Sequence, residues 1–195
     1  MIDLTAYTVN KRIPKKSFGQ PLNNISTITW LYKLHSDNSQ DFKTSDNIFE
    51  IEIFKVEYKD QKVRVSDLKI IQKKIADKPI LFLCSGKYYI LFQNTMLKTN
   101  KELIVKNKLV VNKVNSNLTT FYESILKCFL NTSYTKEQHL DDAIKNDINI
   151  SKKQKRIATL KAKITKEKQA NKRLEMALLV NKIQKELNEL IANIK

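Results

Sequence analysis

Apolar and polar positions along this chain follow two periods, and the change of period divides it. Ile28 to Leu34 (ITWLYKL) is rich in β-branched and aromatic residues and precedes the polar run SDNSQDFKTSDN, which predicts a strand and then a loop. From Phe49 to Lys59 the residues alternate. Phe49, Ile51 and Ile53 share one face, then Phe54, Val56 and Tyr58 continue one step out of phase, so a bulge is expected at Ile53–Phe54. Ser66 can cap a helix to about Asp77 with Leu68, Ile71 and Ile75 facing inward, and Pro79 ends it. PILFLC and KYYILFQ read as strands joined by a tight hairpin at Ser85-Gly86. Tyr88 and Tyr89 then face opposite ways, and one is expected to point away from the main core. A further strand is expected around Leu109 to Val114. Asn117 caps a helix carrying Leu118, Phe121, Ile125 and Phe129, and Thr135 with Gln138 forms a capping box for a short helix through Leu140 and Ile144.

A strand–helix–strand unit between Phe49 and Leu83 requires a crossover, so the fold class is α/β (α+β): a mixed β-sheet packed by helices. The expected organisation is a basic extended arm over 1–27, a mixed α/β core over 28–131, a short helix and connector over 132–150, and a basic helical segment over 151–195.

That last segment is different in kind. Ser151 and Gln154 offer a second capping box, and neither Gly nor Pro follows. Ile157, Leu160 and Ile164 fit one heptad phase. Met176, Val180, Ile183, Leu187, Leu190 and Ile194 fit another, forming a seam for oligomerisation or a partner. The phases join only with a skip, which admits one long helix with a stutter or a hairpin folding back near Gln169 to Lys172. The lack of any turn residue except Asn171 favours the continuous, coiled-coil-like helix.

Charge adds a partner class to this picture. The 195 residues hold 36 Lys+Arg against 20 Asp+Glu, a formal charge of +16, and residues 151–195 alone hold 13 against 4. Lys152, Lys153, Lys155, Arg156, Lys161, Lys163, Lys168, Lys172 and Arg173 surround the first half of the segment, with Lys11, Arg12, Lys15 and Lys16 on the N-terminal arm. Such clusters attract a polyanion. Lysines outnumber arginines 32 to 4, which argues for non-specific phosphate contact and against bidentate guanine readout. The same lysine-rich usage is expected of an AT-rich genome, so a solvated surface with no ligand is the bland reading.

Other chemistry is sparse. Two Gly and three Pro leave no phosphate-binding loop. Cys84 and Cys128 read as reduced, buried thiols, and no zinc spacing with His35 or His139 is present. With no apolar leader at the N-terminus and no membrane-length apolar stretch, a cytoplasmic location is expected. Glu57-Tyr58-Lys59 is an E-x-K triplet on a strand, preceded by Asp46. Two such carboxylates could hold Mg²⁺ in a nuclease site, the lysine orienting water. Alternating charges on a strand are more often a paired surface. The bulge would place Glu50, Glu52, Lys55, Glu57 and Lys59 on one polar face. Strand aromatics such as Trp30 and Tyr32 could stack bases, although core packing is commoner.

Several stretches together, VNKRIPKK (Val9–Lys16), ITWLYKL, IEIF (Ile51–Phe54), PILF (Pro79–Phe82) and EKQANKRLEMALLVNKI (Glu167–Ile183), resemble the bacterial and phage family catalogued as domain of unknown function 4391. The resemblance implies a gene near DNA helicases and methyltransferases of restriction-type or phage-defence loci. It supplies no catalytic residue. The functional expectation is an accessory or adaptor protein that contacts nucleic acid, DNA in the first instance, and docks a larger helicase- or methyltransferase-type partner. No cofactor is expected, no membrane, and self-association as a homodimer is one use of the seam. The alternatives are a Mg²⁺-dependent nuclease subunit and a purely structural interaction module.

Overall fold

A computed structural model describes residues 1–35, 42, 48–75, 78–111, 117–131 and 139–192. The chain divides into two compact units, Met1–Phe129 and Leu130–Lys195.

The first unit is built on a six-stranded sheet. Its strands are β2 (Thr8–Arg12), β3 (Ile25–His35), β4 (Glu50–Tyr58), β5 (Ile80–Cys84), β6 (Lys87–Phe92) and β7 (Thr95–Thr99), in that spatial order; β1 (Ile2–Asp3) precedes them in the chain and belongs elsewhere. Neighbours are antiparallel except β4 and β5, which run parallel and are connected through helix α1 (Val65–Ile75), the expected crossover. Ser85 and Gly86 at φ 49° and 71° make the expected hairpin turn. Gln93 and Asn94 make a second left-handed pair, leading into β7, and Lys106 and Asn107 a third. The third joins β8 (Ile104–Val105) to β9 (Lys108–Leu109), and these form a small second sheet with β1. The strand expected over Leu109 to Val114 shares only Leu109 with β9; Val110 and Val111 belong to no strand, and residues 112–116 lie outside the described residues.

β4 carries the core because both of its faces are covered. Phe54, Val56 and Tyr58 join Ile28, Ile80, Phe82, Cys84 and Tyr89 on one side, closed by Leu68 and Ile71 of α1 and by Phe18 and Leu22. Ile51 and Ile53 are fully buried on the other. Helix α2 (Leu118–Lys127) contacts β4, and its buried Leu118, Phe121 and Ile125 stand apart from the first cluster. Asn117 caps it as expected, its Oδ1 accepting from Thr120 N–H at 3.1 Å. As expected, Tyr89 joins the first cluster while Tyr88 points away from it, yet the second face is covered too. Tyr88 and Tyr89 are both buried, on opposite faces, and the Tyr88 hydroxyl accepts the Ile104 N–H at 3.0 Å.

The expected bulge lies on the partner strand. Trp30 pairs with Phe54 and Tyr32 with Ile53, so Leu31 is the extra residue and β4 alternates without interruption. Glu50 and Glu52 therefore share the face of Phe54, while Lys55, Glu57 and Lys59 share that of Ile51 and Ile53; the single polar face of five charges does not form.

Residues 1–27 are not a free arm. β2 pairs with β3, Tyr7, Phe18 and Leu22 are buried, and Pro14 leads into a 3-10 turn at Lys15–Phe18 closed by Gly19 at φ 68°.

The second unit is a helical hairpin, which corrects the continuous helix favoured above. α3 spans Leu140–Ile164 and α4 spans Ala170–Ala192. Ser151 caps nothing: it lies inside α3, so the expected boundary at residue 150 falls mid-helix, and the Thr135–Gln138 box lies outside the described residues. Ile150 and Ile157 of α3 pack with Val180, Ile183 and Leu187 of α4, all buried. Each such burial contributes roughly 1.5–3 kcal/mol. An extended helix would leave both seams in water, so the chain folds back despite lacking Gly or Pro. Side chains make the turn instead: Gln169 N–H donates to Glu167 Oε1 at 3.0 Å and Thr165 Oγ1 to Ala162 O at 3.0 Å. Asp147 anchors the start of the unit, accepting from the Asn131 backbone N–H at 3.1 Å and from its Nδ2 at 2.9 Å.

Candidate functional site

Charged side chains gather about the hairpin turn of the second unit and about a cavity of the first. In the hairpin, the seam residues Val180, Ile183 and Leu187 are used within the chain, Met176 and Leu190 are half-buried, and Ile194 lies outside the described residues. The seam therefore does not wait for a second protein. Its burial turns the lysines outward. Lys161, Lys163, Lys166, Lys168, Lys172 and Arg173 are all exposed about the turn, with one carboxylate among them. That carboxylate, Glu167, is held below its ordinary value first by the Gln169 N–H it accepts and then by neighbouring backbone and cations. Lys152, Lys155 and Arg156 are exposed on α3, whereas Lys153 pairs with Glu186 across the hairpin. Two leucines, Leu174 and Leu178, are 62% and 61% exposed one turn apart on α4.

The hairpin changes the geometry expected for these cations. On a single rod they would surround the axis; the hairpin gathers residues 161–173 at one end.

The N-terminal cations are dispersed. Lys11 and Arg12 lie on β2, an edge strand, where charge discourages pairing with another sheet. Lys15 is half-buried and donates to Ile25 O at 2.9 Å, leaving Lys16 exposed on the same turn.

The second place is an open cavity of about 720 Å³ at the C-terminal ends of the parallel strands β4 and β5, where open α/β sheets commonly bind ligands. Lys55, Glu57, Lys59, Gln61, Ser85 and Gly86 line it. Ser85 Oγ donates to Gln61 O at 3.3 Å and ties its two loops together. Alternation along β4 brings both Glu57 and Lys59 to the cavity, as the E-x-K spacing requires. Glu57 is engaged, however: Lys55 Nζ lies 2.6 Å from it and Thr27 Oγ1 donates to its other oxygen. The Lys55 hydrogen bond first, then that of Thr27, holds this exposed carboxylate below its ordinary value. Asp46 lies outside the described residues. Among the described residues no three His, Cys, Asp or Glu side chains come together as metal ligands.

Cys84 and Cys128 are free, and burial pushes the Cys84 thiol up to about 12. Trp30 stacks on Phe54 at 6.0 Å and its Nε1 donates to Tyr32 O at 3.1 Å. His35 packs edge-on to Tyr7, and the His139 side chain makes no cap bond at the start of α3.

Among the described residues, no helix is long and apolar enough to cross a membrane. No curated protein and no solved structure gives a significant match to the chain. A family profile does match, over residues 5–187 and thus nearly the whole chain: the protein belongs to the family described as Domain of unknown function (DUF4391).

Proposed function

We propose that this protein is an accessory subunit that contacts nucleic acid through charge. The hairpin turn is laid against the phosphates, and a larger helicase- or methyltransferase-type protein of a restriction or phage-defence system is the partner it serves. The observation that carries the reading is the cluster at the hairpin end, six exposed cations against one carboxylate within residues 161–173. Point-like lysine ammoniums suit a phosphate chain of any sequence. The uncovered Leu174 and Leu178 supply an apolar surface for the partner. Fluorescence anisotropy with a random-sequence duplex tests the nucleic-acid part. Affinity is expected to drop by at least tenfold between 50 and 200 mM salt, as counterion release demands when several phosphates are neutralised; a constant that stays flat overturns it.

A second reading has one observation in its favour: Glu57 and Lys59 face the same cavity at the ends of the parallel strands. As a Mg²⁺-dependent nuclease, the protein would cut DNA with added Mg²⁺, stop with EDTA, and lose the activity in Glu57→Ala. Cleavage that persists in that variant, or none at all, removes this alternative.

A further inference from the structure

α1 covers the sheet with one face and turns lysines outward on another. At about 100° per residue, Lys69 and Lys73 stand one turn apart on one side of Ile70, and Lys74 lies on its other side. The 3-10 turn Lys15–Phe18 packs beside this helix, and between them opens a cleft of about 330 Å³. Its lining is Phe18, Gln20, Lys69, Ile70, Lys73 and Lys74: two apolar side chains, an amide and three ammonium groups. The three lysines are exposed, and none of them makes an ion pair with a described residue. Asp67, the one acidic residue of α1, is buried and does not line the cleft.

We infer that this cleft binds a small phosphorylated ligand with a flat apolar group, of the nucleoside triphosphate class. Three ammonium groups without a lining carboxylate match a short polyphosphate. Ile70 and Phe18 supply the apolar part of the lining, and the volume is at the lower end of small-ligand sites. Gln20 at the rim can both donate to and accept from a base edge. The site lies in the first unit and does not depend on the hairpin binding nucleic acid.

The test is calorimetric titration of the full chain at low salt with ATP, tripolyphosphate and adenosine. ATP is expected to bind more tightly than tripolyphosphate. Its affinity should fall at least tenfold in the Lys69→Gln, Lys73→Gln, Lys74→Gln triple variant. It should stay within twofold in a control triple at the hairpin, Lys161→Gln, Lys163→Gln, Lys166→Gln, which loses the same net charge. Equal losses in the two triples would reduce the effect to net charge and overturn the site. Tripolyphosphate binding as tightly as ATP would remove the apolar lining from the argument and overturn the ligand class. So would a single-stranded oligonucleotide that binds more tightly than ATP and is weakened by the same α1 variant, since the cleft would then hold a strand. Absence of ATP binding also overturns it. If the hairpin triple loses duplex DNA but keeps ATP, the two readings are separated.

Discussion

The residue most at odds with its surroundings is Glu52, a carboxylate only 4% exposed on the core strand β4. Burial is the main cause that raises its pKa, and the nearby Lys33 works in the opposite direction. Lys33 itself pairs with Glu50 at 2.7 Å, so its charge is already shared. A raised folded-state pKa means that the native protein holds the proton more tightly than the unfolded chain. Glu52 therefore favours folding below the ordinary carboxylate range and loses that benefit as pH rises through its folded value. Its charged form works against the fold at pH 7. Glu52→Gln should then raise the urea midpoint at pH 7, with the gap to wild type closing below about pH 4, where both states are protonated. A variant less stable at pH 7 would mean that attraction to Lys33 outweighs desolvation. Unbroken alternation along β4 puts Glu52 on the buried face of Phe54 and Val56, and only the expected bulge moved it outward. Placing Glu52 among outward charges depended on a bulge in its own strand, and the extra residue proved to be Leu31 of the neighbour, a property of pairing that one strand cannot reveal.

At the scale of elements, legibility followed how local each cause was. α2 and the hairpin at Ser85-Gly86 are set by a cap and a turn pair, and each lies where the pattern placed it; α1 keeps its buried Leu68 and Ile71 but starts at Val65, so Ser66 lies inside the helix and is not its cap. The Gln93-Asn94 and Lys106-Asn107 turns lack glycine and went unread, although Asn tolerates left-handed backbone. The hairpin of α3 and α4 announced itself in the skip between apolar phases. It was obscured because Glu167 and Thr165 do by side-chain hydrogen bonds what Gly usually does. This geometry separates two leucines of one helix. Leu187 is 4% exposed against α3 and Leu178 is 61% exposed. Leu187→Ala should cost about 2–5 kcal/mol, and Leu178→Ala within about 0.5 kcal/mol, read from the helical signal in urea. Equal effects would restore the single extended helix.

For the whole molecule the question is whether charge acts by amount or by place. A chain at +16 attracts any polyanion weakly, and lysine enrichment from genome composition would spread that attraction over the surface. Screening limits an exposed charge to about 8–10 Å at ordinary salt, so a phosphate chain responds to the cations it touches. The hairpin end gathers six exposed cations in the stretch 161–173. Two four-fold variants lower the net charge equally: Lys161, Lys163, Lys166 and Lys168 to Gln, or Lys62, Lys87, Lys98 and Lys106 to Gln in the first unit. If place decides, the first set should reduce the slope of log affinity against log salt by about 0.9 for each duplex phosphate that is no longer neutralised, with at least a tenfold weaker complex at 100 mM salt. The second should leave the slope nearly unchanged. Matching reductions would make the attraction a property of total charge, and the hairpin would then be a packing unit whose lysines meet only water.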